Sequence, residues 1–80
     1  MKITFSNRAF KQFTKLEQPL RERIKIVLRR FESGQRVDII KKAGESNEYR
    51  IRVGGYRLIL AKVNYDFIVT EIGKRQNIYK

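Results

Sequence analysis

The stretch Glu48–Leu60, E-Y-R-I-R-V-G-G-Y-R-L-I-L, leaves the chain few ways to fold. Its first half alternates strictly. In a strand, Tyr49, Ile51 and Val53 point to one face and Glu48, Arg50 and Arg52 to the other. Gly54-Gly55 then separates this run from a second apolar run, Tyr56–Val63, which predicts a β-hairpin, because tight hairpin turns need positive φ. Arg57 opens the returning strand. Like charges on one face of a hairpin repel each other, so the concentration of Arg50, Arg52 and Arg57 here is costly for a purely structural ribbon. It suits one that meets a polyanion.

The segments around this hairpin supply its cover. Met1, Ile3 and Phe5 alternate with Lys2 and Thr4, a short strand. Ser6 or Asn7 can cap a helix over 7–17, whose Ala9, Phe10, Phe13 and Leu16 share a face. Pro19 suits the start of a second helix over 19–33, since the first helical turn has no use for its missing N–H. Leu20, Ile24, Val27, Leu28 and Phe31 form the core stripe of that helix, Arg21, Lys25 and Arg29 line its other side, and Gly34 ends it. Residues 35–47 read as a connector, tacked to the core by Val37, Ile39 and Ile40. After the hairpin, Asn64-Tyr65-Asp66 reads as a turn, Phe67–Ile72 as a third strand ended by Gly73, and Lys74–Lys80 as a basic tail. The predicted order is β-α-α-β-β-β: an α+β domain spanning 1–80, with a helical hairpin on one face of an antiparallel-rich sheet.

Composition narrows the function. The sequence holds neither cysteine nor histidine, which rules out disulfides, thiolate or imidazole metal sites, and Ser-His or Cys-His catalysis within it. The carboxylates are scattered without ligand-like spacing, and Gly54-Gly55 lacks the spacing of a nucleotide-binding loop. No metal and no cofactor are expected. No apolar run approaches the roughly 20 residues of a membrane span, and no signal-peptide core stands at the start, so a cytoplasmic protein without membrane contact is expected. Nineteen Lys and Arg against eight Asp and Glu give a net charge of +11, which points to nucleic acid, an anionic membrane surface or an acidic protein partner.

The chemistry-bearing residues left are Arg50, Arg52, Arg57, Lys74, Arg75, Tyr79 and Lys80. Guanidinium groups grip phosphate bidentately and can stabilise the extra charge of a pentacoordinate phosphorus. A phenol can move a proton or stack on a base. Such a set can bind RNA only, or cleave it without metal or histidine. Read as plain exposed strand residues, Arg50 and Arg52 would instead pair with Glu48 and Glu71.

Two blocks of sequence resemble the RelE/ParE toxin superfamily, and in particular its RelE-like mRNA interferases. Tyr49–Ile59, Y-R-I-R-V-G-G-Y-R-L-I, is similar to the family's central hairpin, and Ile72–Lys80, I-G-K-R-Q-N-I-Y-K, resembles its common G-H-R-R-D-V-Y-R close. The resemblance implies a ribosome-dependent endonuclease that cleaves mRNA in the ribosomal A site by attack of a ribose 2′-hydroxyl, held in check by an acidic antitoxin. It implies that Arg57 and Arg75 flank the scissile phosphate, that Tyr79 stacks on the base or assists proton transfer, and that Arg50 and Arg52 grip the message and ribosomal RNA. Lys74 stands where the family commonly has histidine, Gln76 and Asn77 replace a frequent Arg-Asp pair, and Gly55 replaces a common acidic residue. With Lys80, Lys74 counts among the residues expected to bind substrate. A ParE-like gyrase inhibitor on the same fold and a non-catalytic RNA-binding module remain alternatives. For the fold, Leu20, Ile24, Leu28, Phe31, Phe10 and Phe13 are expected to be buried, and Arg50 and Arg52 to lie on the sheet face away from the helices.

Overall fold

Seven elements form in a computed structural model that describes residues 1–44 and 46–74. They are β1 (Ile3–Phe5), α1 (Asn7–Thr14), α2 (Gln18–Glu32), β2 (Ile39–Lys41), β3 (Glu48–Val53), β4 (Tyr56–Val63) and β5 (Asp66–Lys74). The strands make one sheet in the order β1-β5-β4-β3-β2, with β1 parallel to β5 and every other pair antiparallel. No helix among the described residues is long and apolar enough to cross a membrane.

Local chemistry explains the helix ends. Ser6 caps α1, its hydroxyl oxygen accepting from Ala9 N–H at 3.1 Å. Pro19 occupies the first turn of α2, where no intrahelical donor is lost. At the other end Gly34, with φ +82°, turns the chain so that its N–H reaches Phe31 O and Gln35 N–H reaches Arg30 O. Those two bonds satisfy carbonyls that the end of a helix leaves free.

The core lies between the helices and one face of the sheet. Ile24 and Leu28 of α2, Ala9 of α1, and Ile51, Val53, Leu58, Leu60, Val69 and Ile72 of the strands are buried. The β3–β4 register pairs Ile51 with Leu58 and Tyr49 with Leu60, so the apolar parity of the hairpin faces the helices. Phe67 joins strand to helix through edge-to-face contacts with Phe31 at 4.9 Å and Tyr49 at 5.3 Å. Fully burying a side chain such as Ile24 contributes roughly 1.5–3 kcal/mol, so this stripe fixes α2 on the sheet.

Three expectations need correction. The connector at 35–47 contains β2, which pairs antiparallel with β3 (Ile39 with Ile51, Ile40 with Arg50) and adds a fifth strand. The run V-D-I-I-K is too short and too irregular for periodicity to judge, and pairing with β3 is what makes it a strand. Phe10 is 57% exposed, and Leu20, Phe13 and Phe31 are only partly buried. Two short helices cannot wrap all of their aromatic rings, and Phe10 instead lines an apolar groove of about 230 Å³ with Ile3, Phe5, Phe13 and Leu28. The last strand runs one residue past Gly73, through Lys74, and starts at Asp66. A bulge between Ile59 and Leu60 of β4 leaves Thr70 opposite no single partner.

β1 pairs with β5 only over Phe67–Val69, so the upper half of β5 lacks a neighbouring strand on that side. Helix α1 takes the strand's place. Ile72 N–H donates to Gln12 Oε1 at 2.7 Å, and Ser6 Oγ donates to Thr70 O at 3.3 Å. Replacing Gln12 by Ala leaves a partly buried N–H without its acceptor, a loss of about 1–3 kcal/mol. Urea unfolding of Gln12→Ala beside Gln12→Glu, which keeps an acceptor oxygen, should show the larger loss in the alanine variant.

Candidate functional site

The helix-free face of the sheet carries the polar parity of the hairpin. Across β3 and β4, Arg52 stands directly opposite Arg57, and Arg50 opposite Ile59. On the flanking strands the same parity places Ile40 beside Arg50 and Gly73 beside Arg57. The turn that sets this register has Gly54 at φ +60°, where a β-carbon would also come within 3.3 Å of Arg23 Nη1.

Arg50, Arg52 and Arg57 converge on an open cavity of about 110 Å³, together with Asp38 and Ile40. Their environments differ. Arg57 is 6% exposed, the sole charged residue in the described core, and its Nη1 donates to Tyr56 O at 3.3 Å. Arg50 is partly buried, with its Nε 3.3 Å from Glu48 Oε2. Arg52 is about half exposed, and its Nε donates to Asp38 Oδ2 at 2.6 Å. Glu71 pairs with Arg8 at 3.1 Å and not with Arg52. The carboxylate that reaches Arg52 comes from β2's approach instead.

A guanidinium buried as deeply as Arg57 is costly unless hydrogen bonds and counter-charges offset its lost hydration. Three guanidinium groups stand against the carboxylates of Asp38 and Glu48, which leaves a net positive charge at the concavity, and the low-dielectric wall behind it weakens screening. The arrangement is suited to a phosphate or a short run of phosphodiester. Planar guanidinium forks match that geometry better than ammonium groups do.

Other expected site residues fall elsewhere. Lys74 pairs in register with Tyr56, on the parity opposite to Arg57, and does not line the cavity. Arg75, Tyr79 and Lys80, like Gln76 and Asn77, lie outside the described residues. Sequence reasoning missed Asp38 and assigned Ile40 to the core, whereas Ile40 is 59% exposed and lines the arginine cavity. No sequence period marked them; only the pairing of Ile40 with Arg50 in β2 puts this stretch on the arginine face.

No family model matches the chain. A curated relative, Toxin RelE3 of Methanocaldococcus jannaschii, is 33% identical over 85 residues, an alignment covering 99% of this chain and 96% of that toxin. The chain belongs to the RelE toxin family. Among solved structures it resembles the RelB-RelE antitoxin-toxin complex from Methanococcus jannaschii, with TM-score 0.81, 28% identity, and coverage of 95% of this chain and 94% of that one. It also resembles the isolated E. coli RelE toxin, with TM-score 0.70, 28% identity, and coverage of 90% and 81%.

An anion seated among the three arginines should stabilise the folded state. At about ten times its dissociation constant, phosphate would add about 1.4 kcal/mol and raise the thermal midpoint by about 6 °C or more. Chloride at matched ionic strength should do much less. Arg52→Ala and Arg57→Ala should each lose most of the phosphate-specific gain in a thermal melt.

Proposed function

We propose that this chain is the toxin of a toxin–antitoxin pair and acts as a ribosome-dependent mRNA endonuclease. The observation that carries the reading is the convergence of Arg50, Arg52 and Arg57 on one cavity of the helix-free face. Membership of the RelE toxin family supports it. In this mechanism the ribose 2′-oxygen attacks the adjacent phosphorus while the bond to the departing 5′-oxygen breaks. Negative charge builds on the phosphoryl oxygens in between. Arg57, held by its burial, and Arg75 of the closing block are assigned to that charge, and Tyr79 to the base or to a proton. Arg50 and Arg52 hold the phosphodiester backbone on either side, with Lys74 and Lys80 assigned to substrate contact near the end of the chain. Fixed cations replace a metal in stabilising the transition state, and the ribosome supplies the alignment that a domain of this size cannot.

The partner that restrains the toxin follows from charge. The +11 surplus calls for an acidic antitoxin, and the solved relatives include RelB-RelE antitoxin-toxin complexes. Its binding segment would cover the arginine face or displace the C-terminal tail so that Tyr79 loses its working position, and salt should weaken the complex.

Single-turnover cleavage of a message held in programmed ribosomes tests the assignment. Loss of a transition-state contact lowers turnover with little change in binding, whereas loss of a ground-state contact chiefly weakens binding. Arg57→Ala and Arg75→Ala should each raise the barrier by about 2–4 kcal/mol. Arg50→Ala and Arg52→Ala should weaken association and flatten its salt dependence. Tyr79→Phe separates roles: near-normal cleavage assigns stacking, a large loss assigns the hydroxyl. Parent-like cleavage by both Arg57→Ala and Arg75→Ala would sink the mechanism. Inhibition of gyrase supercoiling by the parent protein, without cleavage, would favour the ParE-like activity, and RNA binding with neither effect would leave a binding module.

A further inference from the structure

Asp38 is the one carboxylate among the described residues that lines the arginine cavity. It is tied to Arg52 twice. Arg52 N–H donates to Asp38 O at 2.9 Å through the backbone, and Arg52 Nε donates to Asp38 Oδ2 at 2.6 Å through the side chains. The first bond fixes where the carboxylate stands along β3, and the second fixes where the guanidinium points. Both side chains are about half exposed, with relative accessibilities of 53% for Arg52 and 51% for Asp38, so the pair adds little to stability. Its position needs another reason.

From this geometry we infer that Asp38 is a positioning residue for substrate: it holds Arg52 by Nε so that the terminal amino groups stay available to a phosphate. The inference rests on the RNA-cleaving reading above. A guanidinium has five N–H donors, and one at Nε leaves four on the two terminal nitrogens. Among the described residues those four have no hydrogen-bond partner, while Nε is occupied. A carboxylate that competed with phosphate would take the terminal fork itself, as in bidentate Arg–carboxylate pairs. Here the acid grips the side of the group and leaves the fork open.

Two physical effects follow. An arginine chain carries much rotamer entropy, and a chain already held loses less on binding. Arg52 also faces Arg57 directly across the strands, and a counter-charge on its outer side keeps it from swinging away toward solvent under that repulsion. Asp38 therefore acts on ground-state binding through Arg52, not on the bond-breaking step.

A double-mutant cycle with cleavage in programmed ribosomes tests this. Asp38→Ala should raise KM by roughly two- to tenfold, the scale of one side chain left to be ordered on binding. Turnover at saturation should hold within about twofold of the parent, and Asp38→Glu should recover part of the loss. In an Arg52→Ala background the Asp38 substitution should have no further effect on KM. Independently of RNA, the Nε–Hε signal of Arg52 in the NMR spectrum should lose order in Asp38→Ala.

Unchanged or tighter binding by Asp38→Ala overturns the proposal, because the carboxylate would then be neutral or a competitor. A fall in turnover with a shifted pH profile that persists without Arg52 also overturns it, in favour of a proton-accepting role. If the parent itself neither binds nor cleaves message, the nuclease reading has failed and the positioning role falls with it. The NMR signal still reports whether Asp38 orders Arg52.

Discussion

Antiparallel pairing of β3 with β4 sets Arg52 directly across from Arg57, and the sheet is built to tolerate that opposition. Two guanidinium groups at cross-strand distance repel. The same register places Ile51 against Leu58 on the other face, both fully buried beneath the helices. Because side chains alternate with a period of two, neither pairing can be had without the other. A one-residue slip would turn the arginines into the core and the core residues to water. Apolar burial under α2 thus supplies the free energy that holds like charges together on the opposite face. Removing one pairing would weaken the reason for the other.

This coupling accounts for the division of labour between the faces. The helix side carries nearly all of the tight packing, from Ala9 and Ile24 to Val69 and Ile72. The opposite side carries charge, a small cavity and short ion pairs from Asp38 and Glu48. Arg57 belongs to both. It lies on the arginine parity, yet it is buried nearly as well as the core residues. Such a group cannot reorient cheaply, which suits the fixed-charge role proposed for it.

The hairpin and α2 were legible because their periodicities are long and unbroken: Tyr49-Ile51-Val53 at period two, and Ile24-Val27-Leu28-Phe31 at helical spacing. The turn was legible from its two glycines, although only Gly54 adopts positive φ. β2 was hidden because three residues in a polar connector give no period to count, and only tertiary pairing with β3 makes them a strand. Phe10 misled for a related reason. It shares a helical region with Ala9 and Phe13, but a two-turn helix lying chiefly against β5 leaves one ring over. At the site, the three arginines were named by alternation within one hairpin. Asp38 could not be found that way, since its bond to Arg52 spans 14 positions and depends on the unseen strand.

The sheet ends differently on its two sides. At the β1 side, Ile3 N–H donates to Glu32 Oε2 at 3.0 Å and Ile72 N–H to Gln12 Oε1 at 2.7 Å, so side chains from both helices block outward-facing backbone donors. At the β2 side the border is a three-residue strand with Lys41 and Lys42 at its end, protected by brevity and charge. Growth of the sheet by an added strand, the usual start of edge-to-edge aggregation or of recognition by strand addition, is therefore directional in this fold. A visiting strand finds its backbone partners along Ile39–Lys41, next to Asp38 and the cavity it lines. The open edge of the sheet and the arginine cavity thus meet at Asp38.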